Sequence, residues 1–162
     1  MKSKTNFRQG KFVPKNRLKY KGKTLPVYRS GWERSFMEWC DSSSLVLEWC
    51  SEEPKIPYIN PLTGTKWNYP DFVVKLKDTN GTRIEMIEIK PKRETFPPEQ
   101  KKGKKKKTLL EETKRWVMNT AKWQAAKHYC LQNGWTFKIL YLEDNSFKEA
   151  KHIRNGNLQK IV

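Results

Sequence analysis

Tyr69-Pro70-Asp71-Phe72-Val73-Val74-Lys75-Leu76 is followed by Asp78-Thr79-Asn80-Gly81 and then by Arg83-Ile84-Glu85-Met86-Ile87-Glu88-Ile89-Lys90-Pro91. The Asn-Gly pair between two β-prone runs is a hairpin signal. A strand is expected over residues 66–76, entered through Pro70, with a return strand over 83–90 that Pro91 stops. Side chains alternate along a strand, so Glu88 and Lys90 share one face and Ile87 and Ile89 the other. Ile84 and Met86 precede Glu88 on its face. A solvent-facing strand would be polar along that whole row. Here the row is apolar first and charged at its end, which suits a strand buried on both sides whose end opens into a cleft.

Upstream, residues 30–40 read as a helix. Trp32, Phe36, Trp39 and Cys40 fall on one face, and Ser30 with Glu33 has the spacing of a capping box. Residues 45–50 are an apolar strand candidate. Residues 55–59 are another, placed at an edge by Pro57, and Asn60-Pro61-Leu62-Thr63-Gly64 is a turn. Downstream, residues 92–107 are Lys-rich, contain Pro97 and Pro98, and are expected to form a mobile loop. Residues 109–132 form the longest expected helix, with Gly134 just past its end. Residues 135–142 have strong β propensity, and a short helix is expected from Phe147 onward. The order of elements predicts an α/β domain with a central mixed β-sheet flanked by helices. Its divisions are a basic arm over 1–29, a core over 30–145 and a helical tail over 146–162.

The chain has 162 residues and a net charge of +17, a size that supports one core without disulfides. Charge is concentrated. Residues 1–31 hold ten Lys/Arg and no acid, and residues 101–115 hold eight Lys/Arg and two acids, whereas the rest holds 16 basic and 15 acidic residues. Such segments suit phosphate contacts on a nucleic acid, with counterion release. An anionic membrane surface fits less well, because the basic N-terminal stretch carries no helical apolar stripe. No run approaches the roughly 18 apolar residues of a membrane span, and no apolar run follows the N-terminus as in a signal peptide. Cys40, Cys50 and Cys130 match no zinc or disulfide spacing, which suits reduced thiols in a cytosolic protein. His128 and His152 are isolated. The glycine and lysines of residues 103–108 lack the second glycine of a phosphate-binding loop, so no nucleotide cofactor is expected.

If the hairpin lays Asp71 beside Glu88, two carboxylates converge next to Lys90. Oxygen ligands of this kind suit Mg²⁺ or Mn²⁺, and the backbone carbonyl of Ile89 is a further candidate ligand. A divalent ion there polarises a phosphate and acidifies bound water, while Lys90 stabilises charge on the phosphate or orients the water. Each residue also has a plainer role. Glu33 fits a capping box, Asp71 fits strand entry, and Glu88 with Lys90 fits a solvated pair.

Pro70-Asp71 followed by Glu88-Ile89-Lys90, with Glu33 on an upstream helix, resembles the PD-(D/E)XK nuclease superfamily. With Lys122-Trp123-Gln124-Ala125-Ala126 added, the pattern is similar to TnsA-type transposon-end nucleases and to the head-completion nucleases of T4-like bacteriophages. The resemblance implies a restriction-endonuclease-like core and an Mg²⁺-dependent endodeoxyribonuclease leaving 5′-phosphate and 3′-hydroxyl ends. Glu33, Asp71 and Glu88 would arrange metal and water, Lys90 would assist, and Gln124 would be an auxiliary polar residue, unless it is simply solvated. It also implies DNA as substrate, a capsid portal or other head-completion proteins as partners, and a place in the host cytoplasm or the virion. A structural head protein with an unused nuclease fold, a transposon-end nuclease and a plain DNA-binding module are the other readings. The lysines of residues 101–107 are expected to be either a clamp over DNA or a solvated linker.

Overall fold

A computed structural model describes residues 9–153. Two short strands, β1 (Gly10–Lys11) and β2 (Val27–Tyr28), precede helix α1 (Gly31–Ser42). Then come β3 (Val46–Ser51), the hairpin β4 (Ile56–Asn60) and β5 (Gly64–Asn68), and the central hairpin β6 (Phe72–Asp78) and β7 (Gly81–Ile89). Helix α2 (Lys106–Asn133) leads to a last hairpin, β8 (Thr136–Glu143) and β9 (Ser146–Glu149). The main sheet has the order β3-β6-β7-β8-β9. All its pairings are antiparallel except β7 with β8. That parallel pair needs a long crossover, which α2 supplies. The expected α/β architecture with a mixed sheet is therefore present.

Helices cover both faces of the sheet. Phe36, Met37 and Cys40 of α1 pack on Val46, Trp49, Phe72, Val74, Leu76, Ile87 and Ile89. On the other face, Ala126 and Cys130 of α2 meet Ile56, Val73 and Met86. Trp116 and Trp123 of the same helix pack on Ile139, Ala150 and Ile153. Adjacent residues of β6 and β7 thus serve opposite layers, as the double burial of the hairpin requires. Burial keeps the thiols protonated, raising Cys50 to about 11 and Cys130 to about 12.

Four expectations need correction. The arm over 1–29 is not a free extension where it is described. Tyr20 and Phe12 pack edge-on against Trp49, with ring centroids 4.7 and 6.1 Å away. The Lys21 N–H donates to the Trp49 carbonyl, and the Trp49 N–H to the Lys19 carbonyl, each at 2.9 Å. The arm therefore covers the outer edge of β3, which would otherwise leave its backbone groups unpaired. Residues 1–8 lie outside the described residues. The strand expected over 66–76 is split into β5 and β6, because the chain leaves one sheet and enters another at Tyr69-Pro70-Asp71. The helix expected from Phe147 is strand β9. Asp144 and Asn145, both with positive φ, form the tight turn that folds it back on β8. Only Lys151–Ile153 is helical, as one 3₁₀ turn, and residues 154–162 lie outside the described residues. Finally, the Lys-rich segment is anchored. It starts with a 3₁₀ turn at Lys92–Thr95, Lys104 Nζ bonds the Glu112 carboxylate and the Glu99 carbonyl, each at 2.7 Å, and α2 begins at Lys106.

Asp41, 5% exposed at the end of α1, holds the arm. Its two carboxylate oxygens accept from the Lys15 and Asn16 N–H groups, both at 2.9 Å. Its carbonyl accepts from Asn16 Nδ2 at 2.7 Å and Lys19 Nζ at 3.1 Å. Asp41→Ala should cost roughly 2–3 kcal/mol in a urea titration, since two backbone donors lose a charged acceptor. It should also open residues 9–29 to proteolysis before the core.

Candidate active site

The site lies where β6 begins and β7 ends. Pro70 is fully buried, and its ring fixes the chain as it turns into β6. Asp71 follows, just before the first registered pair of the hairpin, Phe72 with Ile87. Its Oδ2 accepts the Ile89 N–H at 2.7 Å, so the carboxylate takes the position a backbone acceptor would hold if β6 were longer. A strand residue's N–H and C=O point to the same neighbour. The Ile89 carbonyl is therefore on the Asp71 side, beyond the end of the ladder. The Lys90 N–H points the other way, to the Leu140 carbonyl at 3.0 Å.

Glu88 is 7% exposed, and its Oε1 lies 3.0 Å from Lys90 Nζ. Strand alternation puts both on the face covered by α2. Burial first, and the Glu88 carboxylate second, hold Asp71 well above the usual carboxylate range. Lys90 and the Ile89 N–H pull it back, and Glu33 adds the smallest push. For Lys90, burial pulls downward, but Glu88 and Asp71 outweigh it and leave the ammonium above its ordinary value. Glu85 on the same strand shows what a satisfied buried acid looks like. It is 3% exposed and bonded to Arg83 at 3.0 Å and Lys138 at 2.7 Å. Asp71 makes no ion pair among the described residues, and the one ammonium beside it is shared with Glu88.

The four main sequence candidates are thus electrostatically coupled, but unequally. Asp71, Glu88 and Lys90 form the close group. Glu33 acts on Asp71 from α1 while its Oε2 accepts the Arg29 N–H at 2.9 Å. The capping box is half made: Ser30 Oγ accepts the Glu33 N–H at 3.1 Å, and the return bond goes to Arg29 rather than Ser30. Among the described residues no three His, Cys, Asp or Glu side chains close on one metal-sized gap. Of the other two acids, Glu88 exerts the larger effect on Asp71 and Glu33 the smaller. Gln124 stands on another side of α2 from Lys122. It is exposed and lies about 200° round the helix from that lysine.

Lys122, quoted in the sequence only as part of the helix motif, is brought near the same group. Burial lowers its pKa, and Glu88 and Asp71 partly offset that while Lys90 adds to it. Lys122 is therefore within electrostatic range of all three close residues. Its Nζ lies 5.7 Å from the centroid of the Tyr58 ring on β4, so the β4–β5 hairpin and α2 together hold it there. Helical spacing from the buried Trp123 and Ala126 was the available signal, but only the docking of α2 shows which strand end it faces.

A carboxylate raised on folding destabilises the folded state as pH rises from its unfolded value, about 4, towards its folded one. Asp71→Asn keeps an acceptor for Ile89 and removes that cost. In EDTA the variant should melt above the parent at pH 7, and the difference should vanish below about pH 4. Added Mg²⁺ should raise the melting temperature of the parent but not of the variant.

Comparison with known proteins agrees with this geometry. The family model described as TnsA-like endonuclease N terminal matches residues 43–141. This span contains Asp71, Glu88, Lys90, Lys122 and Gln124 and begins after Glu33. The chain is 40% identical over 136 residues to the head completion nuclease of Enterobacteria phage T4, covering 81% of this chain and 89% of that relative. No solved structure matches. With its five-stranded mixed sheet, two covering helices and an acid pair beside a lysine at the strand ends, the chain belongs to the TnsA-like endonucleases and has their restriction-endonuclease-like fold.

Proposed function

We propose that this protein is a metal-dependent DNA endonuclease that processes DNA ends during phage head completion, before tail attachment. The observation that carries the reading is the half-buried Asp71 beside the buried Glu88, with the Ile89 N–H bonded to the first and the Lys90 ammonium paired with the second. Two hard oxygen acids with surplus negative charge suit Mg²⁺, with Mn²⁺ as a substitute. Asp71, Glu88 and the Ile89 carbonyl would hold the ion, with Glu33 nearby on α1. When bound, it supplies Lewis-acid polarisation of the phosphate and a more acidic water.

The chain's own groups do the rest. The Ile89 N–H fixes the Asp71 carboxylate in one orientation. Glu88 positions the Lys90 ammonium, which faces the charge that develops on the phosphate oxygens during in-line attack. Lys122 brings a second positive charge from α2, the helix that covers this face, suited to holding the strand that carries that phosphate. The relative's name supports a role in head completion for this chain as well, in the host cytoplasm or on the assembling head, with the portal or other head proteins as partners.

Purified protein with Mg²⁺ or Mn²⁺ should nick supercoiled plasmid. Asp71→Ala and Lys90→Ala should each lose roughly a hundredfold or more while still retarding DNA in a gel. Equal nicking by parent and variants would remove the hydrolytic reading and leave a structural DNA-binding protein. The basic segment gives a separate prediction. Lys101, Lys102, Lys105 and Lys106, changed together to Gln, should lower the slope of log K against log salt by about 3–4 if they contact phosphates. An unchanged slope would make the segment a linker.

A further inference from the structure

The chain leaves the catalytic strand at Lys90 and runs directly along a cavity of about 480 Å³ between the 92–104 segment and the first half of α2. Glu94, on its rim, is near enough to raise the pKa of Lys90, so cavity and reaction centre adjoin. Trp116, 7% exposed and edge-on to Trp123, contributes an apolar surface. Asn119, one turn further along α2, is 3% exposed and lines the same cavity, where the indole N–H of Trp116 is buried with no hydrogen-bond partner among the described residues. The Asn119 amide offers one acceptor and a pair of donors to a ligand with adjacent donor and acceptor atoms. Phe96 stacks on His152, with centroids 4.2 Å apart and planes 7° from parallel, yet remains 46% exposed. One aromatic layer is thus buried and the next is open. Arg93, Lys101 and Arg115 line the cavity together with Glu94 and Glu99; Lys104 is held by Glu112 at 2.7 Å, whereas Arg115 meets Glu94 only loosely, at 4.0 Å.

An open aromatic, a buried amide and guanidinium and ammonium groups on the rim are the parts that recognise a nucleotide: stacking for the base, a bidentate amide for its edge and cations for its phosphate. The volume is in the range of small-ligand sites. We infer that this cavity receives an unpaired base of the DNA strand that passes the catalytic centre, which makes the enzyme selective for DNA with a single-stranded end or flap. The inference rests on the chain acting on DNA, and it adds a structural preference that the acid pair and lysine do not supply.

The test uses the full-length chain carrying Asp71→Asn, in EDTA, so that DNA is bound and not cut. Its affinity is measured for a fluorescent blunt duplex, for the same duplex with a five-nucleotide overhang, and for one whose overhang is abasic. The base-containing overhang should bind roughly tenfold tighter than the blunt duplex, and the abasic one should lose that gain. Phe96→Ala and Asn119→Leu, added separately, should bring the ratio close to one. Phe96 is largely exposed, so its variant stays informative if Asn119→Leu fails to fold. Equal binding of abasic and intact overhangs would show backbone charge alone and overturn the inference. So would a preference that survives Phe96→Ala. Binding of free dAMP without any overhang preference would assign the cavity to a mononucleotide instead, and would equally overturn it. Failure of the parent to nick plasmid, with the overhang preference present, would remove the hydrolytic reading and leave the base site standing. Nicking without the preference would do the reverse.

Discussion

A carboxylate withdrawn from water needs donors or cations around it, and Asp71 makes that demand at the one place where the central hairpin stops being a ladder. Its bond to the Ile89 N–H at 2.7 Å joins the start of β6 to the end of β7. The bond also brings the acid against Glu88. Every other feature of the site follows from that contact. Glu88 raises Asp71 and claims Lys90, the Ile89 carbonyl is left facing the same gap, and α2 closes the far side with Lys122. The arrangement is costly for the free protein, because burial and Glu88 both oppose ionisation of Asp71.

The surrounding fold serves to make this contact rigid. Phe72 and Ile87, the first registered pair beside it, are buried under α1, while Met86 is buried under α2. The hairpin cannot shift register by one residue without exchanging these two layers. Asp71 and Glu88 are therefore held by packing on both faces rather than by their own interaction, which is repulsive when both are ionised. The N-terminal segment adds to the same rigidity by covering the edge of β3 and anchoring on Asp41.

Much of this was legible from residue pattern. Alternation around the Asn-Gly turn located both strands and the shared face of Glu88 and Lys90. Apolar periodicity found α1 and α2, and Gly134, with φ of 70°, marked the end of the longer helix. Composition was a poorer guide. The N-terminal segment reads as a basic arm, yet Phe12 and Tyr20 pack on Trp49 and bury it. The Lys-rich segment reads as a mobile loop, yet Lys104 is held by Glu112 and by the backbone. Local charge says that water is tolerated there, but it says nothing about which partners the rest of the chain presents.

The sequence by itself determined the α/β class, the central hairpin, and the identity of Asp71, Glu88 and Lys90, because these depend on contacts close along the chain or on a period of two. Tertiary structure decided that Glu33 acts on Asp71 more weakly than Glu88 does, that Lys122 comes within electrostatic range of the acid pair, and that a cavity opens beside the segment that follows Lys90. Those outcomes depend on how each helix is rotated about its own axis when it docks. That angle is set by the summed packing of Trp116, Trp123, Ala126 and Cys130 against distant strands, and no local pattern records it.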